Sequence, residues 1–162
     1  MRILGIDPGY GIVGFGVIDS AKNNAVLDYG VVTTPKEDSL AIRLQTIEKC
    51  LSKILEEYKP DAVAIEELFF FKNHTTVIPV AEARGVILVT CMKYCRDIFE
   101  YTPLQIKQAL TGQGRAEKSQ VQFMVKTILG LKSIPKPDDA ADALAVALCH
   151  SQTSPMLNQN RV

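Results

Sequence analysis

The chain lacks an excess of charge of either sign. Its 18 Lys and Arg balance 18 Asp and Glu, so net charge alone announces no polyanion partner. It also lacks a long apolar run. No stretch approaches the ~18 uncharged apolar residues of a membrane-spanning helix, and no basic region followed by an apolar run marks a signal peptide. A cytoplasmic protein with no membrane partner is expected. The four cysteines, Cys50, Cys91, Cys95 and Cys149, sit in apolar periodic segments and form no CxxC pair. That reads as core thiols in a reducing compartment. Cys91 and Cys95 could face one another on a helix, but two ligands make a poor zinc site. There are no internal repeats and no interdomain linker. The 162 residues are read as one domain over 1–150, with a flexible tail over 151–162.

What is present is local. Residues 101–136 carry Lys107, Arg115, Lys118, Lys126, Lys132 and Lys136 against Glu117 alone. Such a segment is a solvated helix face or a phosphate-contacting one, and charge alone leaves both open. At the other end, Ile3-Leu4-Gly5-Ile6 reads as a strand buried on both faces, and it runs into Asp7. A carboxylate at the end of such a strand is costly unless something pairs with it.

The order of elements predicts an α/β fold. Residues 1–8, 12–19 and 25–33 read as strands joined by short polar turns, hence antiparallel. Ser39 or Asp38 can cap a helix to about Tyr58, with Leu40, Leu44, Ile47, Leu51, Ile54 and Tyr58 as its apolar stripe. Residues 61–66 then form a strand parallel to an earlier one. A helix over 75–95, apolar nearly all round from Val86 to Met92, suits a domain interior or a homodimer seam. A strand at 97–102 and helices at 103–111, 117–130 and 139–150 complete a mixed sheet flanked on both faces. The first strand and the strand ending at Glu66 are expected side by side in its centre, with ligands at their carboxyl ends.

Gly9, Gly11 and Gly14 spell GxGxxG after a strand. A dinucleotide site needs a helix to begin there. The following residues are β-branched, aromatic and glycine-rich, so the glycines read instead as backbone clearance beside a metal–phosphate site. Glu66 and Glu67 end the second central strand, and strand alternation lets only one of them face the way Asp7 does. Asp139 and Asp142 are spaced i, i+3, roughly 60° apart on a helix. Each acid alone has a bland explanation, such as the favourable helix dipole. Together they form the hard oxygen set that Mg²⁺ or Mn²⁺ requires, and four carboxylates can hold two ions about 4 Å apart for phosphodiester hydrolysis. His74 and His150 read as ordinary polar residues.

Five motifs taken in order carry a resemblance: Gly5-Ile6-Asp7-Pro8-Gly9, Ala64-Ile65-Glu66-Glu67-Leu68-Phe69, Gln105-Ile106-Lys107-Gln108, Ala116-Glu117-Lys118-Ser119-Gln120-Val121-Gln122 and Asp139-Ala140-Ala141-Asp142-Ala143-Leu144-Ala145. As a set spanning about residues 1–150, they resemble the RuvC family of bacterial Holliday-junction resolvases. The resemblance implies an RNase H-like fold with a mixed five-stranded sheet. It implies a homodimer that nicks opposing strands of a four-way junction, working with the RuvAB branch-migration motor. It implies two Mg²⁺ per subunit, with Mn²⁺ as a substitute, and products with 5′-phosphate and 3′-hydroxyl ends. By motif position the catalytic metal ligands would be Asp7, Glu66, Asp139 and Asp142. Counting back from Asp142 selects Asp139 over Asp138. Lys107 and Lys118 match family lysines on the scissile backbone, and Phe69 matches an aromatic that stacks on bases. Arg115, in the flexible basic loop before Lys118, is a further DNA contact by position.

Three other readings are weighed against this one. They are an RNase H-like nuclease of the YqgF type acting on RNA, a fragment of an ATP-dependent kinase sharing the strand-end acid, and a non-catalytic junction-binding dimer. Lys107, Lys118 and the late acid pair argue against the first. The chain lacks the second domain that the kinase would need to enclose ATP.

Overall fold

The structure is a computed structural model that describes residues 1–68, 77–153 and 160–162. Five strands form one sheet: β1 (Arg2–Asp7), β2 (Ile12–Asp19), β3 (Ala25–Thr33), β4 (Ala62–Glu66) and β5 (Ile98–Tyr101), in the order β3-β2-β1-β4-β5. β1 pairs with β2 antiparallel and with β4 parallel. β2–β3 is antiparallel and β4–β5 parallel. The helices are α1 (Leu40–Tyr58), α2 (Val77–Tyr94), α3 (Pro103–Thr111), α4 (Lys118–Ile128) and α5 (Asp138–Gln152). This is the mixed five-stranded α/β architecture expected from the order of elements, with β1 and β4 adjacent at its centre.

Local chemistry sets the helix ends. Thr102 and Gln105 close a capping box in front of α3, with Pro103 in its first turn. Glu117 and Gln120 do the same for α4. Lys59, in the left-handed region, and then Pro60 stop α1. Ser39 does occupy the N-cap position of α1, but its side chain makes no capping hydrogen bond.

Two apolar clusters separate cleanly by strand parity. Leu4, Ile6, Val63 and Ile65 face α1 and α2, meeting Ile47, Leu51, Leu55, Ala83 and Ile87. Ile3 and Ala64 face the other way, against Leu144, Ala145 and Leu148 of α5. Alternation along a strand carries Gly5 and Asp7 with Ile3, and Glu66 with Ala64, onto the α5 face.

α5 lies unusually close to the sheet, and alanines and glycines make that possible. Its residues Ala140, Ala141, Ala143, Ala145 and Ala147 are buried. A Cβ on Gly5 would sit 2.1 Å from the Ala143 carbonyl oxygen, and one on Gly14 would sit 2.0 Å from that of Asp139. Gly14 is the β2 residue paired with Asp7. The glycine therefore clears the backbone of α5, not a phosphate as the sequence reading had it.

Beyond α5, the last residues return to the sheet. Arg161 bridges to Phe99, and the Val162 amide donates to the Ile98 carbonyl at 3.0 Å. The rest of the segment read as a tail, 154–159, lies outside the described residues.

Candidate active site

The site sits where β1, β4 and α5 meet. The parallel register pairs Gly5 with Ala64 and Ile6 with Ile65. One further step places Asp7 beside Glu66, on the α5 face. Glu67, one residue on, turns away, and its amide bonds the Tyr101 carbonyl at 2.8 Å. The first turns of α5, brought in over Gly14, supply Asp139 and Asp142.

The electrostatics show how tightly the acids crowd. Burial, then the carboxylates of Glu66, Asp142 and Asp139, push the Asp7 carboxyl up to about 8, with Lys118 pulling the other way. Glu66 is pushed up to about 7, first by burial and then by Asp142. A hydrogen bond with Asp7 and the charges of Lys118 and Lys107 oppose that rise. Asp142 is raised by burial in spite of its hydrogen bond from Lys118. Burial and repulsion among the carboxylates thus favour the protonated form of both Asp7 and Glu66.

Lys118 is the main cation at this cluster. Its Nζ lies 2.8 Å from Asp142 Oδ2 and 3.7 Å from Asp138 Oδ2, and its side chain is 56% exposed. Lys107 comes from α3, and both lysines line a cavity of about 210 Å³ together with Glu66, Asp142 and Ile106. Arg115 is exposed on the α3–α4 loop and does not line that cavity. Phe69, with Phe70, Phe71 and His74, lies outside the described residues.

Asp138 and Asp139 part company here. Asp138 Oδ1 accepts from Lys136 at 2.7 Å, which holds its carboxyl below the usual range. Asp139, not Asp138, is among the charges that bear on Asp7. The cluster is therefore Asp7, Glu66, Asp139 and Asp142, with Asp138 tied up outside it.

This donor set suits a divalent cation. It is hard oxygen only, it is crowded enough to keep protons it would otherwise lose, and few cations oppose it. Among the described residues, no three His, Cys, Asp or Glu are closed up into a finished metal cage.

His150 takes no part in the site. It packs on Phe99, and its Nδ1 lies 2.8 Å from the Tyr101 hydroxyl. Arg43 is the residue near the site that sequence reasoning passed over. It stands one helical turn after Leu40, beside the apolar stripe of α1, and a charge in that position was the available signal.

Residues 3–150 match the family described as crossover junction endodeoxyribonuclease RuvC. The chain is 55% identical over 154 residues to the crossover junction endodeoxyribonuclease RuvC of Alkaliphilus oremlandii, covering 94% of each protein. It is similar in structure to Thermus thermophilus RuvC, with a TM-score of 0.88, 37% identity and 96% of both chains covered. It is also similar to T. thermophilus RuvC in complex with a Holliday junction substrate, at a TM-score of 0.86, 36% identity and 96% coverage of both.

Proposed function

The chain belongs to the RuvC family of crossover junction endodeoxyribonucleases, and from that premise we propose that its four carboxylates cut a four-way DNA junction by metal-dependent hydrolysis. The protein is an endonuclease that resolves Holliday junctions in recombination and repair, on the RNase H-like fold of that family. The observation that carries the site assignment is the convergence of the adjacent ends of β1 and β4, with Asp7 and Glu66, on the first turns of α5, with Asp139 and Asp142, beside the cavity lined by Lys107 and Lys118.

Asp7, Glu66, Asp139 and Asp142 would hold the divalent metal, two Mg²⁺ per subunit with Mn²⁺ as a substitute. When bound, such ions supply Lewis-acid chemistry to the attacking and leaving oxygens of an in-line displacement, giving 5′-phosphate and 3′-hydroxyl ends. The protein's part is placement. Asp7 and Glu66 sit rigidly on adjacent central strands. Lys107 and Lys118 line the cavity beside them and take DNA phosphates. Lys118 exchanges its Asp142 partner for a phosphate oxygen, which frees that carboxylate. Arg115 contacts the backbone further along the loop, and Phe69 stacks on bases near the crossover.

A second copy completes the reading. Ile78, Ala81, Gly85, Val89 and Met92 are exposed along one side of α2 and fall within roughly 80° of arc. Ile78 is 69% and Val89 63% exposed. A small, apolar, uncharged stripe of this kind suits the same stripe on a partner, and a two-fold dimer built on it would carry one active site for each of the two strands to be cut. Partnership with the RuvAB motor and a place in the cytoplasm belong to the same proposal. Among the described residues no helix is long and apolar enough to cross a membrane.

The test is cleavage of a synthetic four-way junction against a linear duplex, with Mg²⁺ or with EDTA. Paired nicks on the junction alone, only with metal, and lost in Asp7→Asn are expected. Equal cutting of linear duplex or of structured RNA would overturn the proposal.

A further inference from the structure

The lysines assigned so far, Lys107 and Lys118, approach the carboxylates from the α3 and α4 side, and Arg115 lies on the loop between those helices. Arg43 approaches the same rim from the opposite face of the sheet. It stands in the first turn of α1, against the turn that follows Asp7. Its Nε donates to Thr34 Oγ1 at 2.9 Å, and Thr34 in turn donates to the Tyr10 carbonyl at 2.6 Å. Its guanidinium carbon lies 4.4 Å from the centre of the Tyr10 ring. Gly11 leaves room for it, since a Cβ there would be 3.1 Å from Nη2. Thr34 is a buried polar residue at 5% exposure. A buried hydroxyl and an aromatic face thus hold one planar cation in a fixed attitude.

That arrangement leaves a charge without a counter-charge. No Asp or Glu among the described residues lies within salt-bridge distance of Arg43, although Glu37 and Asp38 precede its helix. Only Nε has a hydrogen-bond acceptor among the described residues. The two terminal nitrogens of the fork donate to no described residue, and a fork of this shape matches a phosphate.

We propose that Arg43 binds a DNA phosphate on the β1–β2 side of the carboxylate cluster, so that the cut strand is gripped from both sides of the sheet. The inference rests on the nuclease reading above and adds a residue to its substrate grip. Tyr10 and Thr34 are positioning residues for this contact.

The test is the salt dependence of junction binding by the full-length protein in Ca²⁺ or EDTA, read by fluorescence anisotropy. Losing one phosphate contact lowers the slope of log affinity against log salt by about 0.9. That drop is expected for Arg43→Gln and for Arg43→Met, which keeps more of the packing. Arg43→Lys should keep the slope, since its charge remains. An unchanged slope in either neutral variant would overturn the proposal, whether or not affinity or melting temperature falls. Wild-type protein with no preference for junction over linear duplex would sink the resolvase reading, and slopes taken on the linear duplex would still decide Arg43.

Discussion

The Lys118 ammonium lies 2.8 Å from Asp142 Oδ2, and this contact ties the first turn of α4 to the acid face of α5. Burial is the largest single influence and works against the charged lysine, but the hydrogen bond to Asp142 and the charges of Asp142, Asp138 and Asp7 together outweigh it and raise the Lys118 pKa. The pair therefore forms readily, yet it is over half exposed on the lysine side. Exposed pairs contribute only about 0–1 kcal/mol to stability. Lys118→Gln should leave the melting temperature nearly unchanged, whereas cleavage under single-turnover conditions should fall by about 100-fold or more. Intact cleavage in this variant would remove Lys118 from the scissile phosphate.

Asp7 gives a prediction in pH. Its folded carboxyl titrates near 8, against 3.8 when unperturbed. Between those values the folded state holds a proton that the unfolded chain has released, so stability falls as pH rises. Asp7→Asn removes that proton from the comparison. In EDTA the variant should melt above wild type, with a gap widening by at most about 1.4 kcal/mol per pH unit between roughly pH 5 and 8. For a chain of this size that corresponds to about 2–4 °C per kcal/mol. Mg²⁺ should raise wild type and narrow the gap. A gap that does not grow with pH would show that Asp7 is not held protonated by its neighbours.

The adjacent acids separate in function. Asp139→Asn should abolish cleavage, because its charge bears on Asp7 as well as on Asp142, whereas that of Asp138 bears, of the two, on Asp142 alone. Asp138→Asn loses only its exposed contacts to Lys136 and Lys118. Its stability should stay within about 0.5 kcal/mol of wild type, with cleavage largely retained. Rate measurements on the two variants side by side decide the assignment, and the reverse ranking would transfer the ligand role to Asp138.

Gly14 tests the floor under α5. A Cβ there would stand 2.0 Å from the Asp139 carbonyl oxygen, a backbone atom that cannot swing aside. Gly14→Ala should cost about 1–3 kcal/mol through overpacking and displace the first turn of α5. Cleavage should fall further than stability alone explains, because Asp139 moves with that turn.

The acids were legible because their placement follows from periodicity. Alternation along β4 lets only one of Glu66 and Glu67 face as Asp7 does, the family resemblance chose Glu66, and helical spacing pairs Asp139 with Asp142. The partners of those acids were less legible. Glycine at 14 looks the same in sequence whether it clears a phosphate or a helix, and only the packing of α5 distinguishes them. Ser39 carries a capping side chain that the folded chain leaves unused, since propensity permits a cap without requiring one. Arg43 meets Tyr10 and Thr34 through tertiary contacts spanning β3 and α1, and no local pattern announces that. The Phe69 motif was readable as an aromatic wedge, but it falls outside the described residues.

The α2 stripe carries the last prediction. Val89 and Met92 are exposed apolar side chains on a helix whose opposite side, Ala83, Ile87 and Cys91, is fully buried. A charge at Val89 would be solvated in a monomer and would cost little there. Facing its own copy across a two-fold seam, it would meet a like charge in an apolar setting. Val89→Asp should therefore leave the fold intact by circular dichroism and shift sedimentation at micromolar concentration from dimer to monomer. The monomer should keep its carboxylate cluster and nick a junction singly, and coordinated pairs of nicks should disappear. Paired nicking by a strictly monomeric variant would separate coordination from this seam, and an undisturbed dimer would place the interface elsewhere.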